Sequence, residues 1–227
     1  MKEFFKVEWG KLREMSFKDK RQYIWEYYKL HLLGFAVAAF VLGSIINNVF
    51  INPPKYEYLY IAWAGIPAMP WILDELSQGL TVIVEDPERQ TVFISDYSET
   101  GNPQMDMAVM TRFMALLQTA SIDAFITTGG GIEELAEEGF IRPVHDILDA
   151  FAAINPTMEI GDRFLSIYHH PWYSEEPVSD VLGISLAGSP FIEYFGISTD
   201  DMYLAVIGNA TRFENIAKAL EVFLYGA

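Results

Sequence analysis

Residues Leu30 to Ile51 read LHLLGFAVAAFVLGSIINNVFI, with no Asp, Glu, Lys or Arg. At about 1.5 Å per residue a helix over this stretch is roughly 33 Å long, enough to cross the hydrocarbon core of a bilayer. The stretch divides the chain into residues 1–29, a membrane helix over 30–51, a short linker over 52–55 and a domain over 56–227.

The two flanks differ in charge. The whole chain of 227 residues has a net charge of -16. Residues 1–29 hold 8 Lys and Arg against 5 acids, a net of +3; residues 52–227 hold the other 7 against 26, a net of -19. Basic residues next to a membrane helix favour the cytoplasmic side, and Lys11, Arg13, Lys18, Lys20, Arg21 and Lys29 all precede the apolar run closely. A cytoplasmic N-terminus and an extracytoplasmic C-terminal domain in the cell membrane are therefore expected. The basic, aromatic leader is long for a cleaved signal peptide and no A-x-A-like site follows Asn47 and Asn48, so an uncleaved signal anchor is the expectation.

A domain so acidic repels a phosphate backbone, which argues against nucleic acid as a partner. The chain has no cysteine, which removes disulfides, thiolate metal sites and a lipid-modified cysteine alike. Hydrophobic residues make up 51% and aromatics 15%, ample for a packed core.

Before the span, Ser16-Phe17-Lys18-Asp19 has a helix-capping pattern, and a helix starting there runs into the apolar stretch. Trp25, Tyr27, Tyr28 and Lys29 occupy the place of an interfacial belt; docking of a cytoplasmic partner is the other reading of this segment. Past the span, Asn52-Pro53-Pro54-Lys55 cannot continue a helix.

From there strand-length apolar runs alternate with segments of helical length. Tyr56 to Ala64 is nearly continuous in apolar residues, as in a strand covered on both faces. Pro70 to Gly79 has proline at the start of a helix and glycine at its end. Thr81 to Glu85 and Thr91 to Ser95 flank Asp86-Pro87-Glu88-Arg89 and suggest a hairpin. In Pro103 to Ala120, Met107, Met110, Met114 and Leu117 recur at helical spacing, as a face turned to a core. Further strands are expected at 122–126, 163–168, 181–186 and 202–207, and helices at 132–138, 146–153, 190–195 and 212–224. The alternation predicts an α/β domain with a mostly parallel or mixed sheet.

Two passages resemble one family. Ile122-Asp123-Ala124-Phe125-Ile126, followed after a small-residue turn by Glu134-Leu135-Ala136-Glu137-Glu138-Gly139-Phe140-Ile141-Arg142-Pro143-Val144, resembles bacterial extracellular solute-binding proteins of the type II periplasmic-binding-like fold. Their strand of the D-(V/A)-F kind leads to a helix ending LA..G.(L/I).P(L/V). Met202 to Ile207, Asn209 and Ala217 to Leu224 are similar to a late strand and helix of the same family. The two passages cover roughly a third of the chain. The resemblance implies a non-enzymatic role in binding a small solute, with a permease or another membrane complex subunit as partner. Members are usually much longer and have two full lobes around the ligand, so the second lobe here must be reduced. The membrane helix would replace the lipid tether. A structural or regulatory subunit without a small-molecule ligand is the alternative.

Candidate binding residues lie at strand-to-helix turns, because ligands in open α/β sheets gather at the carboxyl ends of strands. Gly65 and Ile66 follow the first strand; Thr127, Thr128, Gly129 and Gly130 follow another; Gly188 and Ser189 follow a third. The three turns are expected to converge on one sheet edge. At 127–131 the alternatives are a ligand cradle and a turn needing positive φ, with Glu133 and Glu134 complementing the helix dipole. Trp63, Tyr97, Trp172 and Tyr173 are candidate aromatic walls or core.

His169 and His170 point to opposite faces of a strand and His145 lies elsewhere, so no metal is expected. Gly183-Ile184-Ser185-Leu186-Ala187 lacks the final glycine of a hydrolase elbow. Glu175 and Glu176 suggest a solvated loop, and Asn209-Ala210-Thr211, formally a glycosylation sequon, is expected to cap the last helix. No cofactor and no catalytic residue are expected.

Overall fold

The computed structural model describes residues 10, 15–169 and 178–226. Within them the chain forms two compact units, Met1–Pro54 and Lys55–Ala227.

The first unit is built on one helix, α1 (Phe17–Ile46). Ser16 caps it: its Oγ accepts from the Asp19 N–H (3.3 Å) and donates to Asp19 Oδ2 (2.6 Å), satisfying a backbone donor at the helix start. Asn47–Ile51 continue as a π-helical turn, closed by Asn52 N–H donating to the Asn47 carbonyl (2.7 Å). Lys29–Ile51 is long and apolar enough to cross a membrane. Its large side chains are exposed, Phe35 at 75% and Phe40 at 78%, as in a helix apolar all round.

The second unit is a mixed α/β layer structure around one seven-stranded sheet. In chain order its elements are β1 (Tyr56–Trp63), α2 (Pro70–Gly79), a 3-10 turn (Leu80–Ile83), β2 (Gln90–Asp96), α3 (Pro103–Gln118), β3 (Ala124–Thr127) and α4 (Gly129–Glu137). There follow β4 (Ile141–Arg142), α5 (His145–Ile154), β5 (Phe164–His169), β6 (Val178–Ser185), α6 (Pro190–Glu193), β7 (Tyr203–Ile207) and α7 (Phe213–Tyr225). The strand order is β2-β1-β3-β7-β6-β5, with β4 paired to β7. β1 runs parallel to β2 and β3; β7 is antiparallel to β3, β4 and β6, and β5 is antiparallel to β6.

Central position explains the continuous apolar strands. Leu59, Ile61, Ala62 and Trp63 of β1 and Ala124 and Ile126 of β3 have no exposed surface. β1 is followed by α2 and β2 on one side, and the chain then returns through α3 to β3 on the other side. Crossovers of this kind are right-handed, so α2 and α3 fall on opposite faces of the sheet. α7 packs on α5, α6 and β1.

Three expectations fail here. Thr81 to Glu85 forms no strand and no hairpin: α2 tightens into the 3-10 turn, with Thr81 Oγ1 donating to the Gln78 carbonyl. β2 pairs instead in parallel with the distant β1. β-branched residues fit a strand, but burial decided, since Leu80 and Val84 are buried while Val82 stays 63% exposed. In α3 the expected core face holds only in part: Leu117 is buried and Met114 packs against the core, but Met107 is 72% and Met110 54% exposed and Phe113 is the other buried residue. Asn209 does not cap α7, whose N-cap is Arg212; its amide donates to the Leu117 carbonyl at the end of α3.

One buried ion pair locks the sheet to α7. Asp123, 1% exposed, accepts from the Tyr60 N–H through Oδ2 (2.8 Å) and from Arg212 Nε through Oδ1 (2.7 Å). Arg212 also donates to the Glu57 and Ser121 carbonyls (both 2.8 Å). Burial pushes the Asp123 carboxyl above its ordinary pKa, and the bonds from Tyr60 and Arg212 oppose that rise.

Candidate binding cleft

The order β2-β1-β3 makes the carboxyl ends of β1 and β3 a switch point, because the connection leaving β1 and the one leaving β3 go to opposite sides. Ligands of open α/β sheets gather in such a crevice. A cleft of about 1310 Å³ opens there. Its walls are the turn Ala64–Pro67 after β1, residues 97–99 after β2, one side of α3, the end of β3 and one face of α4.

The turn after β1 is held on both sides. Ala64 N–H donates to the Ile126 carbonyl (3.0 Å), Tyr97 N–H to the Trp63 carbonyl (2.7 Å) and Gly65 N–H to Ser98 Oγ (3.1 Å). Gly65 sits at φ +72°, a conformation open to glycine, and an added Cβ would lie 3.4 Å from Thr127 Oγ1. Behind it, the Tyr97 hydroxyl shares a hydrogen bond with the Tyr60 hydroxyl (2.8 Å), while Arg112 donates to Tyr60 (3.3 Å) and lies over the Tyr97 ring. Burial, and then the bond to Tyr60, push the Tyr97 phenol well above its ordinary value.

Thr128 caps α4, its Oγ1 accepting from the Gly131 N–H (3.2 Å), and Asp201 Oδ1 accepts from the Gly129 N–H (3.2 Å). The start of α4 is thus occupied by the protein's own acceptors. Gly129, Gly130 and Gly131 are the first helical residues and none has positive φ, which corrects the turn reading. Gly131 instead allows close approach, since a Cβ there would overlap the side chain of buried Thr127.

Of the residues anticipated for binding, Gly65, Ile66, Thr127 and Thr128 lie together on the cleft, while Gly129, Gly130, Gly188 and Ser189 are not among its walls. Gly188 and Ser189 follow β6, which reaches the same sheet edge with β7 between it and β3. Gly188 N–H donates to Thr199 Oγ1 (2.9 Å). The Ser189 hydroxyl, 1% exposed, donates to the Phe223 carbonyl (2.6 Å) and accepts from the Ile192 N–H.

Tyr97 borders the cleft, but Trp63 is fully buried and donates to the Ile66 carbonyl (2.9 Å). His170, Trp172, Tyr173, Glu175 and Glu176 lie outside the described residues, as does the side chain of His169. Ser185 ends β6, and its Oγ accepts from the Ala187 N–H (3.2 Å). No group of three metal-binding side chains occurs among the described residues.

Sequence reasoning missed the composition of the walls. Met107, Met110 and Met114 of α3 face the cleft above buried Phe113 and Phe125. Glu99 and Asp106 on one side and Glu134 and Glu138 on the other complete it, and among the described residues the walls hold no Lys, Arg or His. The signal was present in part: Glu134 in the last turn of α4 and Glu138 at its C-cap are four apart, a like-charged pair with no ion pair among the described residues to offset it.

No protein-family model and no curated protein matches the chain. Among solved structures it is similar to "Extracellular solute-binding protein family 1 from Alicyclobacillus acidocaldarius subsp. acidocaldarius DSM 446" at 12% identity. The match covers 59% of this chain and 28% of that protein, with a TM-score of 0.32. The chain therefore spans well under half of that protein's length, and a TM-score this low carries no inference about ligand or partner.

Proposed function

We propose that this protein is a membrane-anchored binding module, with residues 1–29 in the cytoplasm, 30–51 in the cell membrane and the solute-binding-like domain 56–227 outside. It acts by non-covalent binding in the cleft at the ends of β1 and β3, without catalysing a reaction. The observation that carries the reading is the coincidence of the cleft with the switch point of the sheet, on turns held rigid by backbone hydrogen bonds. The charge asymmetry and the resemblance of the two sequence passages support the topology and the solute-binding character.

Thermal shift of the purified protein against sugars, amino acids, peptides and cations tests it. A ligand at a hundred times its Kd adds about 2.7 kcal/mol of stability. For a domain of this size that raises Tm by roughly 5–10 °C. No shift with any class removes the binding reading, and protease protection that placed residues 56–227 in the cytoplasm would remove the topology.

A second reading is a structural or regulatory subunit that docks on a permease or another membrane complex. It is favoured by the exposure of Met107 and Met110, because a high-affinity small-molecule site buries most of its ligand. A reduced second lobe fits both readings. Stoichiometric co-purification with a membrane partner under mild extraction would favour the subunit.

A further inference from the structure

We propose that the occupant of this cleft is a short basic amphipathic helix from a peptide or protein, seated between α3 and α4. The proposal rests on the cleft being the binding site and adds the chemistry of what enters it.

Size comes first. The cleft, about 1310 Å³, exceeds the roughly 300–1,000 Å³ usual for small-molecule pockets. Its α3 wall runs from Asp106 to Gln118, about 18 Å of helix, the length of a helix of about twelve residues.

The wall itself is apolar at helical spacing. Met107, Met110 and Met114 are presented along α3 above Phe113 and Phe125, with Leu135 of α4 opposite. Met107 and Met110 are exposed and Met114 is half-buried at the base; methionines are pliable and polarisable, and grooves of this kind bind the apolar face of a helix through anchors three and four residues apart. Sheet edges play no part, since the edge strands β2 and β5 lie to either side of the β1–β3 crevice.

Charge then selects the occupant. Glu99, Glu134 and Glu138 are exposed at the rim and have no ion-pair partner among the described residues, while Asp106 already accepts from Thr100. Acids flank the apolar wall from both sides, no Lys, Arg or His is among its described lining residues, and Arg112 beside it is engaged by the Tyr60 hydroxyl and the Tyr97 ring. An anionic or neutral helix gains nothing from this rim, whereas Lys and Arg on the polar edges of a bound helix reach both sides. The surrounding domain, at -19 over residues 52–227, attracts the same ligand from a distance.

The test uses the full chain in phosphatidylcholine nanodiscs, with empty discs as reference, and fluorescence anisotropy of three labelled peptides: a Leu/Lys amphipathic helix, a scrambled isomer of the same composition, and the Leu/Glu counterpart. The amphipathic Lys peptide is expected to bind at least tenfold more tightly than either other peptide. Charge reversal at two exposed positions, Glu134→Lys with Glu138→Lys, is expected to weaken it at least tenfold.

Met110→Asp separates seating from mere attraction. It adds a negative charge, so attraction alone predicts tighter binding, whereas apolar seating predicts binding at least tenfold weaker. Equal binding of the scrambled isomer, tighter or unchanged binding to Met110→Asp, or no binding of the Lys peptide overturns the proposal. If the peptide fails while a small solute raises Tm, the binding reading stands and the helix ligand alone falls; if both fail, both fall.

Discussion

Replacing Arg212 with Met isolates what the buried ion pair does. Asp123 is 1% exposed and keeps only the Tyr60 N–H as a charge-stabilising donor once the guanidinium is gone. Removing one partner of a buried pair costs about 3–5 kcal/mol, against about 0–1 for an exposed pair. The Arg212 side chain is 26% exposed, which places the expected loss near the lower end, about 3 kcal/mol. At roughly 2–4 °C per kcal/mol this lowers Tm by about 6–12 °C.

Urea unfolding followed by tryptophan fluorescence, to which fully buried Trp63 contributes, measures the loss. The sign of its pH dependence is fixed. With Arg212 gone the Asp123 pKa rises further, so the folded variant binds a proton at higher pH than the unfolded chain, whose Asp titrates near about 3.9. Between those two values the stability of the variant rises as pH falls, and its deficit is greatest at neutral pH. A deficit below about 1 kcal/mol, or one unchanged between neutral pH and about pH 4.5, would refute the reasoning.

Two further outcomes follow from the site. Gly131→Ala drives a methyl into Thr127 and is expected to cost about 1–3 kcal/mol, whereas Gly130→Ala meets nothing within 4 Å and should be neutral or stabilising by up to about 1 kcal/mol; chemical denaturation of both variants checks the contrast. Tyr97 stays protonated in the folded protein well beyond the ordinary tyrosine value, so its contribution to stability is intact below about pH 10 and is lost as pH rises above it. Tyr97→Phe is expected to flatten that alkaline decline in Tm, and an unchanged slope would exclude Tyr97 as its source.

The elements read most directly from sequence were those with local causes. Pro70 opens α2 and Ser16 starts α1, because caps and prolines act within one helical turn, whereas Gly79 keeps right-handed helical geometry and the chain runs on into the 3-10 turn instead of stopping there. The anticipated hairpin failed for the opposite reason. Thr81 to Glu85 has strand propensity, but propensity names no partner, and β2 found its partner in β1, more than thirty residues upstream.

The cleft divides in the same way. Gly65, Ile66, Thr127 and Thr128 were legible as strand ends followed by small residues, yet the same signal at Gly188 and Ser189 ended in turns whose hydrogen bonds the fold itself consumes. α3 carries two apolar stripes at helical spacing, one through Phe113 and Leu117 and one through Met107, Met110 and Met114. Period alone cannot say which faces the core.

By itself, then, the sequence determined a long uncharged stretch between a basic segment and an acidic α/β domain, because hydropathy, charge and capping are properties of neighbouring residues. Tertiary structure alone decided that β1 and β3 lie side by side with diverging connections, that α3 leaves Met107 and Met110 exposed, and that carboxylates from α3, α4 and the loop after β2 border one cleft. Those depend on pairings between residues far apart in the chain, where packing against the whole sheet outweighs any local preference.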